Sequence, residues 1–111
     1  MRRDVFQAIA DPNRRAIISL LANRNLSLGG IAEYLPISRP AVSRHIKILV
    51  ECGLVVVHQQ GRERYCEIQL EKLNEVAEWV KPYQKLWEQR LDRLDEYLSE
   101  WKKKEKTHGK K

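Results

Sequence analysis

SRPAVSRHIKIL, residues 38–49, begins with a serine, places proline two residues later and then interleaves Val42, Ile46 and Leu49 with Ser43, Arg44 and Lys47. A serine hydroxyl accepts the unpaired N–H groups of a helix's first turn, and proline tolerates that turn because its missing donor is not needed there. Gly53 supplies the stop, at the position where a left-handed residue commonly ends a helix. With residues about 100° apart around the axis, Val42, Ile46 and Leu49 share one face, while Pro40, Ser43, Arg44 and Lys47 lie opposite. Residues 38–52 therefore read as a helix with one side for a core and one basic side for solvent or a partner.

The preceding residues determine how that helix is mounted. Asp11-Pro12 is an N-cap followed by a first-turn proline, so a helix starts there and runs to about Asn23, with Ala16, Ile17, Leu20 and Leu21 facing inward. A shorter segment, residues 2–10, carries Val5, Phe6 and Ile9 at helical spacing. After Ser27, Leu28, Ile31, Ala32 and Leu35 form the stripe of a third helix, broken by Pro36. Gly29 and Gly30 fall in its first turn, where each costs about 1 kcal/mol of helix stability relative to alanine. Two short helices joined by three residues, the second one capped and amphipathic, make a helix-turn-helix.

LVVVH (54–58) and ERYCEIQL (63–70) are β-rich runs joined by a glycine-containing turn, a hairpin with Gln60, Arg62 and Arg64 at or near its tip. Helix-turn-helix followed by hairpin is the winged-helix arrangement. The fold expected is mainly α, a winged helix-turn-helix with a two-stranded wing (59–64 at its tip) and a long C-terminal helix.

That last helix starts near Glu71. Leu73, Val76, Ala77, Val80, Tyr83, Trp87, Leu91, Leu94, Leu98 and Trp101 fall in one sector, with Trp79, Leu86 and Tyr97 beside it. Continued to Trp101 it spans roughly 46 Å at 1.5 Å per residue, more than so small a domain covers with its own core. The surplus stripe calls for a second copy of the chain or another partner. Val5, Ile9, Val80, Tyr83, Trp87, Leu91, Leu94 and Leu98 are the dimerisation candidates. Pro82 removes one backbone donor, and because the stripe keeps its phase across it a kink is expected rather than a break. Residues 1–101 are read as one domain and residues 102–111, WKKKEKTHGKK without its tryptophan, as a basic, disordered tail.

The formal charge of +6 is unevenly spread: +5 over residues 1–64, −4 over 65–101 and +5 over 102–111. A basic N-terminal half with arginines on the helix, beside the wing and at Arg14 and Arg15 points to double-stranded DNA. Arg39 and Arg44 are the base-reading candidates, since a guanidinium meets guanine O6 and N7 with two hydrogen bonds. Ser38, Pro40 and Ser43 lie on the same approach, with Lys47 suited to phosphate. No apolar run in the first 24 residues exceeds IISLL, so neither a signal peptide nor a membrane span is expected, and a cytoplasmic protein is.

DVFQAIADPNRRAIISLL (4–21), LSLGGIAEYLPISRPAVSRHIKILVECGLV (26–55) and GRERYCEI (61–68) resemble the ArsR family of winged-helix transcriptional repressors, and WVKPYQKLWEQRLDRLDEYL (79–98) looks like the extended last helix of one of its subgroups. The resemblance implies a prokaryotic homodimer joined through its first and last helices, repressing transcription from an operator with two-fold symmetry. The chain departs from the metal-sensing members. Where those carry a cysteine pair on the third helix, Leu26-Ser27-Leu28-Gly29-Gly30-Ile31 has no thiol, and residues 71–101 contain no histidine. Cys52, Cys66, His45, His58 and His108 show no ligand spacing, so no metal and no cofactor are expected. His45 reads as a half-buried histidine hydrogen-bonded locally. A metal- or thiol-responsive repressor of the same fold, with Cys52 and Cys66 as the thiols, and a winged helix used for protein–protein contact stand as alternatives. No catalytic constellation is visible, and the inducer is not legible.

Overall fold

The computed structural model describes residues 3–108, which fall into two units, one ending at Val76 and one starting at Ala77. The first contains α1 (Val5–Ala8), α2 (Pro12–Asn23), β1 (Leu26–Ser27), α3 (Leu28–Tyr34), α4 (Arg39–Glu51), β2 (Val55–Gln60), β3 (Glu63–Ile68) and a 3-10 turn (Leu70–Leu73). The long helix α5 (Asn74–His108) begins in this unit and makes up the described part of the second.

Each helix of the first unit starts on a side-chain cap. The carboxylate of Asp4 accepts from Gln7 N–H, Asp11 Oδ2 from Asn13 and Arg14 N–H at 2.8 and 3.1 Å, Ser27 Oγ from Gly30 N–H at 3.0 Å and Ser38 Oγ from Ala41 N–H at 3.3 Å. These bonds satisfy donors that a helix start would otherwise leave unpaired. α4 ends as its sequence requires, with Gly53 at φ 80°.

The core is drawn from α1 to α4 and the hairpin: Val5 and Ala8 of α1, Ile17, Ile18 and Leu21 of α2, Ile31 of α3, Val42, Ile46 and Leu49 of α4, Val55 of β2 and Cys66 of β3. Leu73 and Val76 pack against its edge and are the only part of the C-terminal stripe that does so among the described residues. On α2 the buried side chains are Ile17, Ile18 and Leu21, so its inward face is turned toward Ile18, and Ala16 and Leu20 are only half buried. Val5, read from sequence as a dimer contact, is 2% exposed within this one chain and offers a partner no surface. Ile9 is half buried against the same core.

The sheet has three antiparallel strands in the order β1-β3-β2, one more than the hairpin. Leu26 faces Cys66 and Ser27 faces Tyr65. In the hairpin Val55 faces Ile68 and Gln60 faces Glu63, leaving a two-residue loop, Gly61-Arg62, whose glycine has φ 63°. A left-handed first loop residue matches the twist of the strands it joins.

α5 is continuous through Pro82, as a helix can be when one lost donor is outweighed by the turns on either side. It also runs past Trp101 to His108, where a disordered tail is expected from the sequence. Lysine and glutamate are good helix formers, each added residue closes another hydrogen bond, and lysines near a C-terminus suit the helix dipole. Residues 109–111 of that expected tail lie outside the described residues.

Candidate nucleic-acid interface

The caps and the core fix which side of α4 is presented outward. Val42, Ile46 and Leu49 are buried, so Arg39, Pro40, Ser43, Arg44 and Lys47 are exposed together. Gln60, Arg62 and Arg64 are exposed on the hairpin. Among the described residues none forms an ion pair with Arg39, Arg44, Lys47, Arg62 or Arg64. One helix face and a neighbouring hairpin thus carry cations without an ion-pair partner among the described residues. Ser38 differs from them, because its hydroxyl is engaged in capping α4.

Two clefts join the helix to the wing. One is lined by Ser27, Leu28, Gly29, Gly30 and Glu33 on one side and by Arg39, Arg62, Glu63 and Arg64 on the other. The second runs between α4 and the sheet, with Ser43, Ile46, Lys47, Val50 and Glu51 facing Val57 and Arg64. Arg64 lines both, beside Arg39 in the one and Ser43 and Lys47 in the other.

Arg14 and Arg15 do not belong to this surface. Arg14 donates from Nε to Ala8 O and from Nη2 to Gln7 O, both at 2.9 Å, and Arg15 Nη1 donates to Ile9 O at 2.8 Å. Their guanidinium groups close the carbonyl end of α1, whose four residues are too few to satisfy it. Sequence spacing placed them on the far flank of α2; nothing in it signalled the six- and seven-residue return to α1.

Cys52 and Cys66 are buried and His45 is half buried. His45 Nδ1 is buried and has no hydrogen-bond partner; the carboxylate oxygen Asp11 Oδ2 is 3.9 Å away and already holds two backbone N–H groups. The local hydrogen bond expected of His45 is not made at this ring nitrogen. Desolvation pushes the Asp11 carboxyl up, but the Arg14 N–H, the His45 imidazole and the Asn13 N–H outweigh it and hold the group below the usual aspartate value. Burial pushes the thiols of Cys52 and Cys66 up, against a smaller downward pull of Arg3 and Arg14 on Cys52. No group of three or more His, Cys, Asp or Glu among the described residues is placed to hold a metal ion.

Residues 11–57, from the cap of α2 to the first wing strand, match the sequence profile of the bacterial regulatory protein, arsR family. The transcriptional repressor SdpR of Bacillus subtilis (strain 168) is 35% identical over 77 residues, covering 69% of this chain and 86% of SdpR. The chain belongs to the arsR family. The HTH-type transcriptional regulator Rv2034 of Mycobacterium tuberculosis shares 44% identity over 63 residues, 57% of this chain and 59% of that one. Among solved structures, an ArsR-like transcriptional regulator from Rhodococcus sp. RHA1 matches with a TM-score of 0.67 at 30% identity, covering 86% of this chain and 87% of that one. This ArsR-family chain is a DNA-binding transcriptional regulator and not an enzyme, with a winged helix-turn-helix fold. No described helix is long and apolar enough to cross a membrane.

The sequence reading missed Gly29. The guanidinium of Arg39 rests against it, in space that any side chain there would enter. Two glycines in the first turn of a seven-residue helix were the available signal.

Proposed function

We propose that this ArsR-family protein is a cytoplasmic homodimeric repressor that binds an operator with two-fold symmetry, α4 lying in the major groove of each half-site and the β2–β3 hairpin against its flank. The observation that carries the reading is the set of exposed, unpaired cations shared by α4 and the hairpin. Arg44 and Ser43 reach base edges, Lys47 neutralises phosphate, and Ser38 and Pro40 set the entry of the helix. The name of SdpR, a transcriptional repressor, supports repression as the outcome.

Dimerisation rests on α5. Val80, Tyr83, Trp87, Leu91, Leu94 and Leu98 are exposed in the single chain, with Trp87 at 61% and Trp79, Tyr97 and Trp101 also uncovered. A continuous apolar face of that size marks an association surface. Pairing two copies sets two recognition helices about 34 Å apart, one turn of B-DNA.

Selection of bound duplexes from a random pool tests the whole reading. A sequence with inverted half-sites is the expected product. Affinity for it falls by about 10³ to 10⁵ between 50 and 200 mM salt if six to ten phosphates are neutralised. Recovery of no preferred sequence, or affinity indifferent to salt, overturns it.

A further inference from the structure

We propose that Arg39, Arg62 and Arg64 form a clamp for one DNA backbone phosphate, so that Arg39, which stands where a recognition helix usually meets bases, contributes charge and not sequence preference. The inference rests on the DNA-binding reading above and refines it.

The three side chains come from two elements and line one open cleft. Arg39 is the first residue of α4, Arg62 is in the hairpin loop and Arg64 is on β3. A sugar–phosphate strand separates the major from the minor groove. A cleft between a helix in the one and a hairpin beside the other therefore faces that strand.

The lie of Arg39 supports the assignment. A Cβ built on Gly29 would sit 3.0 Å from Arg39 Nη2 and 3.4 Å from Cζ. The guanidinium is thus laid back across the start of α3, toward the cleft, instead of extending off the exposed face of α4 as a base reader must. Glycine at 29 gives it that room.

The charge balance points the same way. Two carboxylates, Glu33 and Glu63, also line the cleft, and the Glu63 carboxylate is held by the Tyr65 hydroxyl at 2.6 Å. Three guanidinium groups against two carboxylates leave the cleft cationic, with no ion pair to any of the three arginines among the described residues. A phosphodiester oxygen pair is the anion that a guanidinium fork fits and that the bound duplex supplies at this place.

The test compares wild type, Arg39→Ala, Arg39→Lys and Arg64→Ala on the selected duplex and on a random duplex across salt. Arg39→Ala and Arg64→Ala are expected to lose the same factor on both duplexes and to flatten the slope of log K against log salt by about 1 each. Arg39→Lys is expected to keep the slope, since a point charge serves a phosphate. Replacing single phosphates by neutral methylphosphonate should find one position per half-site where wild type loses more affinity than Arg39→Ala does. The clamp is overturned if Arg39→Ala relaxes the preference at one base pair with the slope unchanged. It is overturned too if no single methylphosphonate position distinguishes wild type from Arg39→Ala. Wild type without salt-dependent DNA binding removes the underlying reading as well, a failure visible before any variant is made.

Discussion

Asp11 Oδ2, which accepts the N–H groups of Asn13 and Arg14 to start α2, lies 3.9 Å from Nδ1 of His45 on the recognition helix α4. One carboxylate thus caps α2 and supplies the negative charge nearest the buried ring nitrogen on α4. Its pKa is depressed in the folded chain, so its contribution to stability is present above the unfolded aspartate value, about 3.9, and is lost as pH falls through the lower folded value.

Asp11→Ala should cost about 0.5–2 kcal/mol in urea unfolding at neutral pH, the usual worth of a capping side chain. Asp11→Asn keeps an acceptor and loses only the charge. Its difference from wild type should therefore shrink toward zero as the medium is acidified below the ordinary aspartate range. A difference that is constant from pH 7 to pH 3 would show that the charge of Asp11 adds nothing to the cap.

Arg14→Ala should destabilise by about 1.5–3 kcal/mol, the scale of hydrogen bonds from a charged group, because it reopens the carbonyls of Gln7 and Ala8. The salt slope of DNA binding should stay at the wild-type value. A stable protein with a flatter slope would return Arg14 to the DNA surface.

Much of this architecture is legible in the sequence because local chemistry decides it. Asp11-Pro12, Ser27 and Ser38-Arg39-Pro40 are caps read directly from residue type, and Val42, Ile46 and Leu49 fix the buried side of α4 by spacing alone. What escapes is what tertiary partners decide. β1 is two residues long and exists because Leu26 and Ser27 find Cys66 and Tyr65 on a strand forty residues away. Arg14 and Arg39 look alike as exposed arginines near helix starts. Only the fold brings one to the end of α1 and the other against Gly29. Val5 belongs to a short helix whose stripe, viewed alone, fits a partner's surface as well as the core that actually covers it.

The thiols should be slow and inert as switches. Cys66 is fully buried and Cys52 nearly so, and burial raises both above the ordinary cysteine value, which starves each of the reactive thiolate. Native protein is expected to react with a thiol reagent far more slowly than protein unfolded in urea, and peroxide is expected to leave DNA affinity unchanged. Rapid labelling together with loss of DNA binding would restore the thiol-responsive reading.

The face of α5 offers the most direct test of the dimer. Leu91 and Leu94 are exposed in the single chain, 41% and 50%, on a helix whose described residues from Ala77 onward are all uncovered. Leu91→Glu combined with Leu94→Glu places two carboxylates in the middle of that stripe, and burying them against a second apolar stripe without partners is strongly unfavourable. Sedimentation should show monomers, with an unchanged helical spectrum and an unchanged core. DNA binding should then fall on a two-half-site operator and stay at the wild-type level on a single half-site, because only the linkage between recognition helices has been cut. A dimer that survives the pair of substitutions would move the interface off α5.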